Sequence, residues 1–199
     1  MRIPSRATCY RLMRETAMLD NIVRHSLQVC RVADWLVRQL ARQDRALNRD
    51  LVEAAALLHD ITKTRSLTTG EKHSESGCDL LVDYGFAEVG DIVRQHVKLD
   101  TYFESDTPSE AEIVNYADKR VLHDRIVSLD ERMAYILERY GSTPEYHARL
   151  RWLWEISNLQ EKRIFANLPF TPAVMEEHME AVDLAVELQK VLAPPGPDA

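Results

Sequence analysis

Apolar residues recur at intervals of three and four along most of the chain, a spacing that predicts amphipathic helices. The clearest stripe predicts a first long helix that begins near Asp20, a residue type that caps helices well. Its members are Ile22, Val29, Ala33, Leu36 and Leu40. The chain has only six glycines, and no turn signal joins two alternating apolar runs. The pattern therefore predicts an all-α fold.

Helix start and stop signals divide the rest of the chain. Helices are expected over Pro4–Met13, from Asn48 or Asp50 to His59-Asp60, from His73 to Gly85 and over Glu88–Lys98. Asp50 with Glu53 has the spacing of a capping box. Further helices are expected from Thr107 with Pro108 at the first position, over Leu129–Tyr140 with a stop at Gly141, and from Thr143 and Thr171. Thr64–Glu71 and Leu99–Asp106 are predicted to be loops. We expect one helical domain over residues 1–193, with a core at about 20–125, C-terminal helices over 126–193 and a disordered tail at 194–199.

One stretch of strong helix formers leads into ionisable side chains. A run of alanines and leucines over residues 54–58 leads directly into His59 and Asp60, and Lys63 follows one turn later. The run predicts a buried helix end, where a carboxylate requires a partner. An isolated His-Asp pair is more often a core histidine beside a surface aspartate, so further ligands decide the interpretation.

Further polar residues fall on apolar helix faces and are expected to point inward. Together with the first pair, the set is His25, His59, Asp60, His73, His96 and Asp118. Imidazole and carboxylate groups are ligands for borderline divalent metals, and helical bundles assemble such sites from facing helices. The set predicts a mixed nitrogen and oxygen metal site.

Composition narrows the possible partners. The net charge is −7 and no lysine-arginine cluster stands out, which argues against binding a nucleic-acid duplex. The apolar runs are too short to span a membrane, and no apolar core follows Met1–Arg6 as a signal peptide would require. Three widely spaced cysteines predict neither a disulfide framework nor a thiolate zinc site. We expect a cytoplasmic protein.

At this point the sequence resembles a known family, the HD-domain metal-dependent phosphohydrolases, of the HDIG type. The matching pieces, in order, are His25-Ser26 with Val29, Leu57-Leu58-His59-Asp60-Ile61-Thr62-Lys63, His73-Ser74-Glu75-Ser76-Gly77, Ile92-Val93-Arg94-Gln95-His96 and Tyr116-Ala117-Asp118. The resemblance covers about residues 20–120 and implies an all-helical bundle around a mono- or binuclear metal site.

The resemblance also implies ligand roles. His25, His59, Asp60 and Asp118 would hold a first metal, while His73 and His96 match positions that bind a second ion, with Asp60 bridging. Members that open cyclic diguanylate carry a second histidine where this chain has Val97, and their Gly-Tyr-Pro signature is absent here. A cyclic-dinucleotide substrate is therefore not expected.

The implied activity is hydrolysis of a phosphomonoester or phosphodiester in a small phosphorylated substrate, plausibly a nucleotide. One or two divalent ions per chain, from among Fe, Mn, Co, Ni and Mg, would generate the attacking hydroxide. Asp60 would orient the water. Lys63 would meet a phosphate oxygen, or else be a solvated lysine near a helix end. Arg125, seven residues after Asp118, is a second phosphate-binding candidate on the same expected helix face.

Other interpretations stay open. Some proteins of this fold are di-iron oxygenases, and a catalytically silent signalling module would keep the metal for structure alone. Leu-His-Asp occurs again at residues 122–124, where it is expected to be structural or solvated because helical geometry turns His123 away from Asp118. Trp152 and Trp154 are interpreted as core or dimer packing, so a homodimer is one expected assembly.

Overall fold

The computed structural model describes residues 1–43, 45, 47–140, 143–166 and 168–193. Its helices are α1 Arg6–Glu15, α2 Asp20–Ala41, α3 Arg49–Leu58, α4 Lys63–Thr69, α5 His73–Asp83, α6 Ala87–Gln95, α7 Glu110–Lys119, α8 Leu129–Tyr140, α9 Pro144–Phe165 and α10 Leu184–Leu192. Two short strands, β1 Val121–Leu122 and β2 Arg125–Ile126, pair antiparallel. The predicted all-α class is confirmed, whereas the predicted stop at Gly141 and the tail at 194–199 lie outside the described residues.

Helix α2 lies at the centre of the core. It packs against α3, α7 and α10, and its apolar stripe is buried along its whole length. The alanines at 54–56 on α3 are at most 1% exposed, and their small side chains let α3 lie close beside its neighbours. The predicted burial of the run before His59 is thereby confirmed.

Helices α5 and α6 pack tightly against each other because two glycines remove side chains at their contact. A Cβ at Gly90 would lie 3.0 Å from the Cys78 carbonyl oxygen, and one at Gly77 would lie 3.1 Å from Val93 Cγ1. This close approach brings His73, the first residue of α5, near His96 at the end of α6.

The predicted loop over Thr64–Glu71 is wrong, because residues 63–69 form helix α4. Its hydroxyl side chains bond back to helix carbonyls, as Ser66 Oγ does to the Lys63 oxygen at 2.8 Å. The helix ends at Gly70, which adopts a left-handed conformation with φ of 72°. Polar composition masked a short helix whose hydrogen bonds are partly supplied by its own side chains.

Four of the predicted helix starts need comment. Asn48, rather than Asp50 with Glu53, caps α3, and Ser109 with Glu112 forms the capping box of α7 in place of Thr107. The start at Thr143-Pro144 is confirmed, since the Thr143 side chain accepts from the Tyr146 amide. Thr171-Pro172 opens only a 3₁₀ turn at Pro172–Val174, followed by another at Glu176–His178.

Helix α7 does not continue past Lys119, so the expected helical placement of Arg125 is wrong. The chain turns instead through the β1–β2 hairpin, with His123 at φ of 58°. Arg125 lies on β2 with its side chain 67% exposed and pairs with Glu131 at 3.4 Å. The helical-wheel argument for turning His123 away from Asp118 fails for the same reason.

A buried arginine joins the hairpin and the C-terminal helices to α7. Arg120 donates to the Val127 carbonyl at 2.7 Å, to the Tyr116 hydroxyl at 2.6 Å and to Glu161 at 3.0 Å. The guanidinium thus has partners on α7, after the hairpin and on α9, which fixes these segments together. Across the residues described, no helix has the length and apolarity needed to cross a bilayer.

Candidate metal centre

The six polar residues predicted to converge are brought together by five segments of the core. They are His25 on α2, His59 and Asp60 directly after α3, His73 at the start of α5, His96 at the end of α6 and Asp118 on α7. His59, Asp60 and His96 are at most 5% exposed. The His25 and His59 rings lie 5.3 Å apart, and the His59 and His96 rings 5.0 Å apart.

Three of the histidines are held in the same way. Nδ1 of His25 bonds the His123 carbonyl at 2.8 Å, Nδ1 of His59 the Ala56 carbonyl at 2.8 Å, and Nδ1 of His96 the Val93 carbonyl at 2.6 Å. A carbonyl can only accept, so each Nδ1 carries the proton and each Nε2 is left to bind a ligand. Backbone carbonyls that fix the tautomer in this way are typical of metal-binding histidines.

His59 supplies the observation that most favours a metal. Its Nε2 is buried and has no hydrogen-bond partner. The same atom lies 3.5 Å from Asp60 Oδ2 and 3.8 Å from Asp118 Oδ1, both acceptors. A lone pair facing carboxylate oxygens in a dry interior is unfavourable unless a cation lies between them. The residues present therefore fit a divalent metal.

The ligand atoms form two overlapping groups. Those of His25, His59 and Asp118 lie within 4.8 Å of one another, as do those of His59, Asp60 and His96. The Asp60 oxygens face different neighbours: Oδ2 lies toward His59, while Oδ1 lies 3.6 Å from His96 Nε2. A carboxylate whose two oxygens face different ligand histidines has the arrangement that a bridging ligand needs.

His73 borders the second group without belonging to it. Its Nε2 lies 3.1 Å from Asp60 Oδ1 and 3.1 Å from His96 Nε2. Its position is set by Thr62, whose hydroxyl donates to the His73 carbonyl at 2.8 Å. His73 is thus placed to add a nitrogen ligand on the side of Asp60 that faces His96.

Burial and charge act against each other at these groups. For Asp60 and Asp118, burial opposes ionisation, but the surrounding imidazoles and cations outweigh it and hold the pKa of each carboxyl well below its usual range. Burial lowers the pKa of His59, and it lowers the pKa of His96 to about 3. Two ionised carboxylates and two neutral imidazoles at neutral pH are the protonation states that bind metal.

His25 is the exception among the buried imidazoles. Burial lowers its pKa, but the hydrogen bond from Nε2 to Asp118 Oδ1 at 3.0 Å and the charge of that carboxylate outweigh burial and raise it. A proton on Nε2 satisfies the contact in the metal-free protein, and a metal ion would take the place of this proton.

Two cations flank the centre, one predicted and one missed. Lys63 Nζ lies 3.3 Å from Asp60 Oδ1 and 3.4 Å from His73 Nε2. Arg132, on α8, lies 4.0 Å from Asp118 Oδ1 and is only 18% exposed in its side chain. Its Nε is buried without a partner. No motif marks Arg132, because the hairpin that folds α8 back onto the centre has no clear signal in the sequence.

A second missed residue orders the ligands. Asn115, one turn before Asp118 on α7, donates from Nδ2 to the Gln95 carbonyl at 3.1 Å and to the His96 carbonyl at 2.9 Å. These bonds cap the end of α6 and fix His96 relative to Asp118. A polar residue on the buried face of α7 was the available signal.

Comparison with known proteins gives one family match. The HD domain matches residues 22–121, just over half of the chain. A search of curated proteins found no match. Among solved structures, the chain is similar to a crystal structure described as a predicted HD superfamily hydrolase from an uncultured Thermotogales bacterium. The two are 22% identical, the similarity covers 83% of this chain and 94% of the other, and the TM-score is 0.46.

The family match, over residues 22–121, spans all six converging residues, from His25 to Asp118. HD domains bind divalent metals, and the histidine and aspartate groups of this chain have the arrangement that could hold one. The chain belongs to the HD-domain family, a superfamily of metal-dependent hydrolases.

Proposed function

We propose that this protein is a metal-dependent phosphohydrolase that cleaves a phosphomonoester or phosphodiester of a nucleotide. The observation that carries the proposal is the convergence of two histidines, His25 and His96, and two carboxylates, Asp60 and Asp118, around the partnerless Nε2 of His59. Two cations lie at the edge of the same cluster, where an anionic substrate would approach.

The ligand roles are proposed from the two overlapping groups and from the residue that borders the second. His25, His59 and Asp118 would hold one divalent ion, and Asp60 and His96, joined by the neighbouring His73, would hold a second. When bound, these ions supply Lewis acidity that lowers the pKa of a water toward ~7 and polarises a phosphate oxygen. Because Nδ1 of each of the three anchored histidines is tied to the backbone, the ligands are oriented before the metal arrives.

Asp60 is proposed to orient the attacking water. Its two oxygens lie between the two groups, and its low pKa keeps them as hydrogen-bond acceptors at neutral pH. In hydrolysis the water oxygen releases a proton to solvent and bonds to phosphorus, the bond from phosphorus to the ester oxygen breaks, and the leaving oxygen takes up a proton from solvent. Asp60 accepts a hydrogen bond from the water during this displacement.

Lys63 and Arg132 are proposed to bind non-bridging phosphate oxygens. Lys63 is a mobile point charge beside Asp60 and His73, while Arg132 presents a planar guanidinium beside Asp118. Lys63 lies beside the group that contains Asp60, and Arg132 lies beside the group that contains Asp118. A phosphate held between them would place its phosphorus over the centre, with charge compensation on both sides.

The test combines metal analysis with a substrate panel. Purified protein is analysed for bound elements, stripped with a chelator and reconstituted separately with Mn²⁺, Fe²⁺, Co²⁺, Ni²⁺ and Mg²⁺. Nucleotide mono- and diesters should be hydrolysed, chelation should abolish turnover, and one of the metals should restore it. Absence of turnover with every metal would contradict the proposal, and iron with visible absorption would then favour an oxygenase.

A further inference from the structure

A groove leads away from the metal centre along one side of the protein. A cavity of about 610 Å³ is lined by His73, Lys98 and Arg149 among others. A second cavity of about 490 Å³ is lined by Lys98, Arg149, Trp152 and Leu153. Because both contain Lys98 and Arg149, the two cavities adjoin, and together they form what we call the His73–Trp152 groove. Each is within the size range of small-molecule sites.

The charges along the groove are of two kinds. Arg94 in its wall is already paired with Asp91 at 2.9 Å and with Asp100. Lys98 and Arg149, at the junction of the two cavities, make no ion pair within 4.0 Å inside the described part of the chain. The junction therefore offers two cations whose charge is not already taken up by a direct carboxylate partner.

An aromatic side chain lies at the far end. Trp152, on α9, is 41% exposed although it is large and apolar. Its ring contacts Tyr102 edge to face, with centroids 5.6 Å apart and planes at 87°. Tyr102 thus supports the indole from one side while much of it faces solvent. Exposed, supported aromatic rings are the surfaces on which nucleic-acid bases stack.

The order of these groups along the groove indicates which chemical groups a ligand needs. Starting from His73, the groove offers the metal centre, then two cations, then an aromatic ring. We infer that the His73–Trp152 groove binds a nucleotide that carries a second phosphate besides the one at the metal centre. Its second phosphate lies between Lys98 and Arg149, and its base stacks on Trp152. As a substrate site this inference rests on the proposed function, whereas the binding itself can be measured without turnover.

The experiment measures binding by isothermal titration calorimetry in the presence of chelator, which removes metal-dependent turnover but leaves the groove intact. The probes are adenosine 3′,5′-bisphosphate, adenosine 5′-monophosphate and ribose 5-phosphate. The wild-type protein should bind the bisphosphate at least about tenfold more tightly than the monophosphate, because only the former can place one phosphate between Lys98 and Arg149 and the other beside Lys63 while its base stacks on Trp152.

Two variants separate the parts of the groove. Arg149→Glu should remove most of the advantage of the bisphosphate over the monophosphate. Trp152→Ala should weaken both adenosine probes by about 5- to 150-fold, the range for loss of one stacked base, and should leave ribose 5-phosphate unchanged. Thermal melting should show both variants folded, since both side chains are exposed.

Matched controls come from the same helix. Arg151→Glu makes the same charge change at an exposed position that lines neither cavity, and Leu159→Ala removes an apolar side chain that is 50% exposed. Both should bind all probes as the wild type does. Equal effects of Arg149→Glu and Arg151→Glu, or no measurable binding of the bisphosphate by the wild type, would overturn the groove assignment.

The two proposals fail separately. If the bisphosphate binds as expected but no ester is hydrolysed with any metal, the groove assignment stands and the hydrolase proposal fails. If esters are hydrolysed while Arg149→Glu and Trp152→Ala leave binding unchanged, the groove assignment is overturned and the hydrolase proposal stands.

Discussion

The tripeptide Leu-His-Asp occurs at residues 58–60 and again at 122–124, in very different surroundings. In the first copy His59 is fully buried and Asp60 is 5% exposed, at a turn that follows a buried helix. In the second copy His123 is exposed and occupies the turn of a hairpin at φ of 58°. The same His-Asp pair is thus buried in the first copy and lies at a surface turn in the second.

The two copies also contribute different atoms to the metal centre. The first supplies side chains: the imidazole of His59 and the carboxylate of Asp60. The second supplies the main-chain carbonyl of His123, which accepts from Nδ1 of His25 at 2.8 Å. The His123 ring instead contacts Tyr135, with centroids 5.4 Å apart, and Asp124 lies 3.9 Å from Arg24.

The residues in front of each copy account for the difference. Alanines and leucines precede His59, so burying that helix end removes apolar surface from water and carries the polar pair inward. Lys119 and Arg120 precede the second copy. Both are buried with polar partners of their own, such as the Asn115 side chain, whose Oδ1 accepts from Lys119 at 2.6 Å. A motif acquires its role from the apolar context that buries it.

The largest expected effect comes from removing the same side chains in each copy. His59→Ala and Asp60→Ala should remove bound metal and lower turnover by at least about 100-fold, because changes around the ligands alone already cost 10- to 100-fold. His123→Ala and Asp124→Ala should keep the metal. Elemental analysis and turnover of all four variants measure this. Metal loss in His123→Ala with metal kept in His59→Ala would overturn the site assignment.

The second copy should respond to backbone changes rather than to side-chain removal. His123→Pro cannot adopt the positive φ and should displace the carbonyl that orients His25, lowering metal affinity by about 10- to 100-fold. His123→Gly adopts this φ easily and should bind metal as the wild type does. Competition with a chromophoric chelator gives both affinities, and equal affinities would mean that the carbonyl does not matter.

The pH dependence of stability should separate the copies in the metal-free protein. Burial lowers the pKa of His59, so below about 6.5 the unfolded chain takes up a proton that folded His59 does not. This difference makes stability fall as pH falls through and below that value, by up to about 1.4 kcal/mol per pH unit. His59→Gln should flatten the slope.

Urea unfolding with chelator between pH 7 and pH 5 measures the slope. His123→Gln is the matched control, because its side chain is exposed, and it should keep the slope of the wild type. Identical slopes for the wild type and His59→Gln would show that His59 takes up its proton equally in both states.

The smallest expected change concerns stoichiometry on the His96 side of Asp60. His73→Ala or His96→Ala should lower bound metal from about two ions per chain to about one, because each removes a nitrogen beside Asp60 Oδ1 and leaves His25, His59 and Asp118 unchanged. Elemental analysis of reconstituted variants gives the ratio. A wild-type content of one ion, unchanged in both variants, would show a single-metal centre in which these histidines act otherwise.

Much of the architecture could be predicted from local patterns. The stripe on α2 predicted its length and its inward face, and the alanine-leucine run predicted the burial of the turn that carries His59. The errors fell where local signals compete. Serines and threonines concealed α4. Because neither glycine nor proline interrupts residues 119–126, the hairpin that carries Arg125 to the surface was not anticipated.

The sequence by itself determined the helical class and which imidazoles and carboxylates point inward, because both follow from the spacing of apolar residues within one helix. Only the tertiary structure decided which nitrogen of each histidine stays free, that Arg132 approaches Asp118, and that Trp152 ends a groove beginning at His73. These features depend on contacts between distant residues, such as His25 and His123, 98 positions apart. The spacing of apolar residues within one helix does not encode such contacts, because the free energy that selects them comes from packing the whole chain.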